Sequence, residues 1–397
     1  MQNNTEKTRI LRIITRMNVG GPSHHIVNLT TGLNDYGFET ILVSGLPKDI
    51  EGDMLYLAKE KQIELETIAF LNRPISPIDD LIAFIKIVAK IKQFKPQIVH
   101  THTAKAGFLG RLAALLCGVP QIYHTYHGHI FKGYFSKPIS NIIVAIERIF
   151  AAFSTGLIAI SPKQSVEIQE FLKLKDATKI KTIPLGLNLE KNLATPRKSS
   201  NWRKRVGLSE HCFLLGIVAR LVPIKNHALL LGSMKNLCQK IPDIHLAIIG
   251  SGELEDNLRQ QCSLLGITDR VHFCGIVNDM ENVYSDLDLL VLCSKNEGTP
   301  VVIIEAIASG CPVVSTNVGG VADILKNEKF GRLLSQQTEE FTNQLLLAIE
   351  DIQNGKFNEY PTHSVRQEIV RRYSVASLAR NIANMYNSKK QPQAKHQ

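Results

Sequence analysis

Short β-branched and aliphatic runs alternate with longer amphipathic stretches along nearly the whole chain. In the first half the runs are 10–15, 40–44, 97–101, 121–125, 156–160 and 181–184. In the second half they are 213–219, 245–250, 271–274, 287–292 and 312–316. Between them apolar positions recur at helical spacing, as in 26–34, 78–94 and 227–239. Near-continuous apolar strands separated by helices predict parallel sheets covered on both faces, an α/β fold. The pattern runs twice, and 397 residues exceed the ~250–300 at which one core tends to split, so two doubly wound domains are expected. The predicted division is a first domain over 1–190, a polar linker over 191–205 and a second domain over 206–363. A helical stretch over 364–387 and a frayed polar tail over 388–397 follow. In such sheets ligands gather beyond the C-terminal strand ends, so the residues after each run and a cleft between the domains are where chemistry is expected.

Composition narrows the class. The chain is 44% hydrophobic and 21% charged, ordinary for a globular protein. No apolar run approaches the ~18 residues that span a bilayer. The start, MQNNTEKTR, lacks the apolar core of a signal peptide, so a cytoplasmic protein is expected. The net charge of +10 is weighted to residues 1–195, with 23 Lys and Arg against 16 Asp and Glu, so a polyanionic or membrane-surface partner would meet that half. Nucleic acid is not expected: there is no helix-turn-helix, RNP or finger pattern and only one Trp. The seven Cys are an odd number without CxxC spacing and read as buried free thiols.

The strand ends carry the candidate residues. After the first run comes Asn18-Val-Gly20-Gly21-Pro22-Ser23, where paired glycines and a helix start suit an anion. It is not GxGxxG, and no acidic residue is placed for a ribose, which argues against a dinucleotide. His100-Thr-His102-Thr-Ala-Lys105 and His124-Thr-Tyr-His127-Gly128-His129 place five His and a Lys at neighbouring strand ends. Side chains alternate across a strand, so only some of these His reach one ligand. His100 and His124 read as structural, and His127 as best placed to touch a substrate. With no Cys partner and no HExxH, no metal is expected. In the second half, Arg220 closes a strand and Lys225 follows at a helix start, a pair suited to a diphosphate. Gly250-Ser-Gly252 ends the next strand and permits close backbone approach. Asp286-Leu-Asp288 imitates a cation-holding DxD, but precedes its strand and reads as structural. In Glu297-Gly298-Thr299-Pro300-Val-Val-Ile-Ile-Glu305, Thr299 is the expected N-cap and Pro300 the first helical residue. The amides of Val301 and Val302 would then be free for a ligand. Glu305 in so apolar a helix is expected to have a partner. Gly319-Gly320 closes a further strand.

Together, in this order, the Glu297-x7-Glu305 pair, Arg220-x4-Lys225, Gly20-Gly21, His127, Gly250-x-Gly252 and Gly319-Gly320 resemble the retaining glycosyltransferases of family 4, which have the GT-B fold of two Rossmann-like domains facing a cleft. The resemblance covers residues 9–385, and HTHTAKAG, HTYHGHIFKGYF and NEGTPVVIIEA look like the branch that builds bacterial surface polysaccharides. It implies transfer of a hexose or N-acetylhexosamine from a nucleotide-sugar, with UDP the expected nucleotide, to a growing glycan, with retention and without a metal or other cofactor. Arg220 and Lys225 would hold the diphosphate and stabilise the leaving charge. Glu297 would bind sugar hydroxyls and Glu305 the ribose. Backbone at Gly298, Thr299, Val301 and Val302 would meet sugar and phosphate, with Gly250 beside them. Gly20 and Gly21 would meet the phosphate, and Val277 the base. His127 would sit beside the reacting carbon. The stretch 364–387 would cross back to the first domain. Gly-Thr-Pro after Glu297 and Gly-Gly-Pro-Ser-His in the first loop depart from the common family patterns at positions that touch sugar recognition, which leaves the donor sugar open. The segment 132–153, basic at its start, suggests contact with a lipid-linked saccharide at the inner membrane face through Lys132 and Lys137, against an ordinary core helix. The rival readings are a UDP-sugar 2-epimerase, which needs acid–base groups for a C2 proton, and an inactive sugar-nucleotide-binding partner subunit.

Overall fold

Two parallel sheets organise the chain. The first has seven strands: β1 (Thr8–Ile14), β2 (Phe38–Ser44), β3 (Glu64–Thr67), β4 (Ile98–His102), β5 (Gln121–Tyr126), β6 (Gly156–Ala159) and β7 (Ile180–Thr182). Their order is β3-β2-β1-β4-β5-β6-β7. The second has six: β8 (Phe213–Val218), β9 (Ile244–Ile249), β10 (Val271–Gly275), β11 (Leu289–Leu292), β12 (Val313–Thr316) and β13 (Arg332–Leu334). Their order is β10-β9-β8-β11-β12-β13. Each is the doubly wound order in which the chain reverses direction beside the first strand, between β1 and β4 and between β8 and β11. These observations come from a computed structural model that describes residues 7–18, 20–46, 53–72, 74–128, 137–326, 328–356 and 361–388.

The helices are α1 (Gly21–Gly32), α2 (Leu55–Glu60), α3 (Pro77–Phe94), α4 (Ala104–Leu116), α5 (Lys137–Phe153), α6 (Pro162–Leu172), α7 (Glu190–Ala194) and α8 (Asn201–Arg205). Then come α9 (His227–Lys240), α10 (Glu255–Leu265), α11 (Met280–Asp286), α12 (Val301–Ala308), α13 (Val321–Ile324), α14 (Thr338–Gln353), α15 (His363–Tyr373) and α16 (Val375–Asn387). In the first sheet, Leu11 and Ile13 pack with Ile87 of α3 and Ala113 of α4, while Ile10 on the other face packs with Leu29 of α1 and Ile382 of α16. In the second, Leu215 and Ile217 pack with Leu230 and Met234 of α9 and with Leu345 of α14.

Contacts divide the chain into Met1–Leu187 with Tyr373–Gln397, and Asn188–Arg372. The expected linker is instead folded into the second unit. Trp202 and Arg203 are buried, and Asp286 accepts from the amides of Ser200, Trp202 and Arg203 at 2.8–3.2 Å. Of the stretch expected to cross back, Ser364–Arg372 stays with the second unit, where Arg366 donates to Ala308 O at 2.9 Å. From Tyr373 onward the chain belongs to the first, with α16 against α1. The Cys are all free, but Cys117, Cys238 and Cys274 are half-buried rather than buried. The tail from 389 and Lys132 lie outside the described residues, as does the side chain of Lys137.

Candidate active site

In the second unit Arg220, Gly250, Val277 and Glu297 follow the C-terminal ends of β8, β9, β10 and β11. The loop after β8 is stitched to the loop after β9: Leu221 N donates to Ser251 O at 2.9 Å and Leu254 N to Leu221 O at 3.0 Å. A Cβ on Gly250 would lie 2.1 Å from Ala219 O, and one on Gly252 2.6 Å from Leu221 O. The close approach that Gly250-x-Gly252 permits is therefore to the chain's own backbone, and it holds up the loop that presents Arg220, which is exposed. Lys225 ends a tight turn, and its Nζ lies 2.6 Å from Glu297 Oε1, which also accepts from Ser294 Oγ at 2.6 Å. Both side chains are largely buried, Lys225 20% and Glu297 9% exposed. The Glu297 backbone is clamped from β12: Gly320 N donates to Glu297 O at 3.1 Å. Gly319 sits at φ +52°, where a Cβ would lie 1.7 Å from that carbonyl. The paired glycines so fix the loop that bears the carboxylate.

Helix α12 starts one residue later than its sequence suggests. Pro300 is the N-cap and Val301 the first helical residue, and no side chain caps the helix. The reason is visible at Thr299, whose Oγ1 is buried without a partner rather than bonded to the first turn. The half-buried Val301 and Val302 still occupy the first turn, where amides lack intrahelical acceptors and a partial positive charge collects. Gly298 beside them is exposed. On the second turn Glu305 has the expected partner: Tyr284 OH donates to its Oε2 at 2.8 Å. Burial pushes the Glu305 carboxyl up to about 7, with the Tyr284 hydroxyl opposing the shift and Glu281 adding to it. Val277 lines a pocket of about 300 Å³ with Trp202, Arg205 and Asp279. Sequence reasoning passed over His227, which is buried with both ring nitrogens unpartnered and pushed down to about 4 by burial and the Lys225 charge. Asp286 and Asp288 are structural, as expected. Asp288 accepts from Leu214 N at 2.7 Å and pairs with Arg203 at 2.6 Å, at the N-terminal end of β11.

In the first unit, Gly20 is the N-cap of α1, and a Cβ on Gly21 would meet nothing within 4 Å. His100 and His124 are structural. His100 bonds Tyr386 OH at 2.6 Å and Thr125 Oγ1 at 2.8 Å, and His124 bonds Thr101 Oγ1 at 2.8 Å. Lys105 turns to Asp80 at 2.5 Å. His127 follows β5, half-buried, with Nε2 3.0 Å from His102 Nδ1. His25, which sequence reasoning left out, packs edge-on against His127, with ring centroids 4.9 Å apart. Burial pushes His25 and His102 well below the usual range and His127 to about 4, so these rings are neutral at pH 7. The strand is anchored just before His127: Tyr126 OH donates to Glu147 at 3.0 Å, and Glu147 pairs with the buried Arg111 at 2.6 Å.

Comparison with known proteins gives this geometry its family. Residues 198–361 match Glycosyl transferases group 1, and residues 19–191 match Glycosyltransferase Family 4. The Escherichia coli UDP-Gal:α-D-GlcNAc-diphosphoundecaprenol α-1,3-galactosyltransferase is 32% identical over 321 residues, 80% of this chain and 81% of that one. The capsular polysaccharide biosynthesis glycosyltransferase CapM of Staphylococcus aureus is 26% identical over 342 residues, 83% of this chain and 87% of that one. Among solved structures, Anabaena HepE in complex with UDP superposes with a TM-score of 0.81 at 22% identity, covering 96% of this chain and 100% of that one. With its two doubly wound sheets and charged groups at their C-terminal strand ends, the chain is a glycosyltransferase of family 4 with the GT-B fold.

Proposed function

We propose that this glycosyltransferase moves a hexose or N-acetylhexosamine from a UDP-sugar to a lipid-linked glycan of surface polysaccharide biosynthesis, with retention of configuration and without a metal. The observation that carries the reading is the Lys225–Glu297 pair, 2.6 Å apart beside the first turn of α12 and next in the chain to the exposed Arg220 loop. A diphosphate needs fixed positive charge as the bond to the sugar breaks, and Arg220 and Lys225 supply it. Glu297, released from Lys225 as phosphate takes its place, accepts from sugar hydroxyls. Glu305 accepts from the ribose, and Val301 and Val302 offer amides. In the transfer the bond from C1 to the β-phosphate oxygen breaks and a bond from C1 to the acceptor oxygen forms on the same face. The acceptor proton passes to the departing phosphate. Within the first unit, His127 is the residue proposed to touch substrate, and the Gly20–Gly21 amides are proposed to meet an anion. The named activity of the Escherichia coli relative supports both the UDP donor and the lipid-linked acceptor.

For the acceptor, a peripheral contact with the inner membrane face is supported by α5. Ile139, Ile142, Ile149 and Phe153 are 48–64% exposed, at spacings that put them on one face. No helix among the described residues is long and apolar enough to cross a membrane.

The test begins with thermal-shift titration against UDP, GDP, ADP and NAD, with and without EDTA. Saturating ligand at ~100 times its Kd adds about 2.7 kcal/mol. A shift with UDP alone, unchanged by EDTA, is expected. Transfer from UDP-sugars to a diphosphoundecaprenol-linked sugar, with the product anomer read by NMR, completes it. A shift with NAD alone, or an inverted product, would overturn the reading.

A further inference from the structure

We propose that His25, His102 and His127 form a binding site for a divalent transition-metal ion, with Zn²⁺ the best fit, and that filling it inhibits the enzyme. The inhibition rests on the role proposed for His127, whereas the binding does not.

The three rings come from α1, the end of β4 and the loop after β5, around the switch point of the first sheet. One ring nitrogen from each lies within 4.8 Å of the other two. A tetrahedral zinc with bonds of ~2.0–2.1 Å needs ligand nitrogens ~3.4 Å apart, so small ring rotations close the set. His102 Nδ1 and His127 Nε2, at 3.0 Å, are already inside that spacing.

The second observation is independent of this clustering. His25 is 2% exposed and neither of its ring nitrogens has a hydrogen-bond partner. Native interiors seldom leave such atoms unmade, because each loses its hydration without replacement. His100, on the same strand as His102, has both nitrogens satisfied by Tyr386 and Thr125. The backbone is also strained there. Thr103 sits at φ +66°, a conformation costly for a β-branched residue, and is pinned by its Oγ1 to Thr15 Oγ1 at 2.7 Å.

Imidazole nitrogens without carboxylate or thiolate select Zn²⁺, Cu²⁺ or Ni²⁺ over Mg²⁺ or Mn²⁺. His127, half-buried, is the open side, where water would complete the coordination. The buried guanidinium of Arg12 acts on His25 and His102 as a like charge. Affinity should therefore fall below that of thiolate sites. A nitrogen bound to zinc has no lone pair left for a sugar hydroxyl, and its ring is held fixed, so metal on His127 competes with transfer.

The test uses the full chain, stripped with EDTA and dialysed. Zn²⁺ is titrated calorimetrically, and Co²⁺ by visible absorption. One equivalent per chain and the absorption of four-coordinate cobalt are expected, with at least a tenfold loss of affinity in His25→Ala and His102→Ala. Imidazole ¹⁵N shifts on wild-type protein locate the ligands even if a variant does not fold, and must move for all three rings. No stoichiometric binding, or shifts elsewhere, would mean that the cluster holds water only and overturn the site. Where transfer is assayed, Zn²⁺ should inhibit with the midpoint of binding and EDTA should reverse it. Binding without inhibition would overturn only the inhibitory role. Failure to find transfer would bear on the proposed activity and leave the binding result standing.

Discussion

The Lys225 ammonium and the Glu297 carboxylate neutralise each other 2.6 Å apart, with Ser294 Oγ on the same carboxylate oxygen. In the proposed reading a diphosphate competes for that ammonium and frees the carboxylate for sugar hydroxyls. Lys225→Ala and Glu297→Ala should each lower turnover by ~10²-fold or more, the scale of losing one preorganised charge-stabilising group. The two should differ in ligand binding. Lys225→Ala should abolish the thermal shift with UDP, while Glu297→Ala should keep it, because UDP carries no sugar. Near-wild-type turnover in either variant would remove that residue from the site.

The ribose role proposed for Glu305 predicts a pH dependence of definite sign. The carboxyl is pushed up to about 7, chiefly by burial. Only the ionised form accepts from two ribose hydroxyls, so UDP-sugar binding should weaken about tenfold from pH 8 to pH 6. Calorimetry with a UDP-sugar, whose phosphodiester does not titrate there, measures this, and Glu305→Gln should bind weakly with no such slope. Stability of the ligand-free protein should run the other way. The folded pKa lies above the unfolded value near 4.3, so the folded state binds more protons between the two and loses stability as pH rises from ~4.5 to ~7. The difference in denaturation free energy between wild type and Glu305→Gln should show that trend, and a flat difference would contradict it.

How much of this was legible beforehand differs between elements for physical reasons. Eleven strands were visible as apolar or β-branched runs, and the interior ones, such as β4 and β5, are buried on both faces. The two missed, Glu64–Thr67 and Arg332–Leu334, are short edge strands, β3 alternating Glu with Leu and Thr and β13 opening on Arg, whereas the edges β7 and β10 keep runs that read as strands. The polar segment 191–205 looked like a linker because its buried charges are matched by partners distant in sequence. Arg203 meets Asp288, and Asp286 meets the amides of residues 200, 202 and 203. Glu305 could be given a partner but not Tyr284, which lies 21 residues upstream. His25 carried no signal, since its significance depends on two other strand ends.

The buried ion pair below His127 should show in stability. Arg111 is fully buried, Glu147 only 11% exposed in its side chain, and Tyr126 shares the carboxylate. Glu147→Ala leaves the guanidinium buried without its counter-ion and should cost ~3–5 kcal/mol in urea denaturation followed in the first unit. Arg111→Met with Glu147→Leu should cost much less, because no charge is then stranded. Equal losses in the single and double variants would mean that packing, not charge, dominates.

Turnover should not depend on a divalent cation. The only DxD motif is engaged elsewhere: Asp286 holds three amides and Asp288 pairs with Lys198 and Arg203, and Arg220 and Lys225 are the cations proposed to balance the departing diphosphate. EDTA should change turnover by less than about twofold, and Lys225→Ala should not be rescued by Mg²⁺ or Mn²⁺. Complete loss in EDTA with recovery on adding Mn²⁺ would contradict the charge-only account.

The exposed stripe of α5 makes the membrane contact testable apart from chemistry. Ile142 is 60% and Ile149 58% exposed, and neither packs in a core cluster, so charge can be placed there without opening a cavity. Burying one such side chain in the interface is worth ~1.5 kcal/mol, roughly tenfold in partitioning. Ile142→Glu with Ile149→Glu should therefore cut co-sedimentation with anionic vesicles by ~10²-fold. Turnover should fall with a vesicle-embedded lipid-linked acceptor but stay unchanged with a short-chain soluble analogue. If wild-type protein sediments no better with anionic than with neutral vesicles, basic residues add nothing to the contact. If the double variant sediments as the wild type does, α5 is not the surface that meets the lipid.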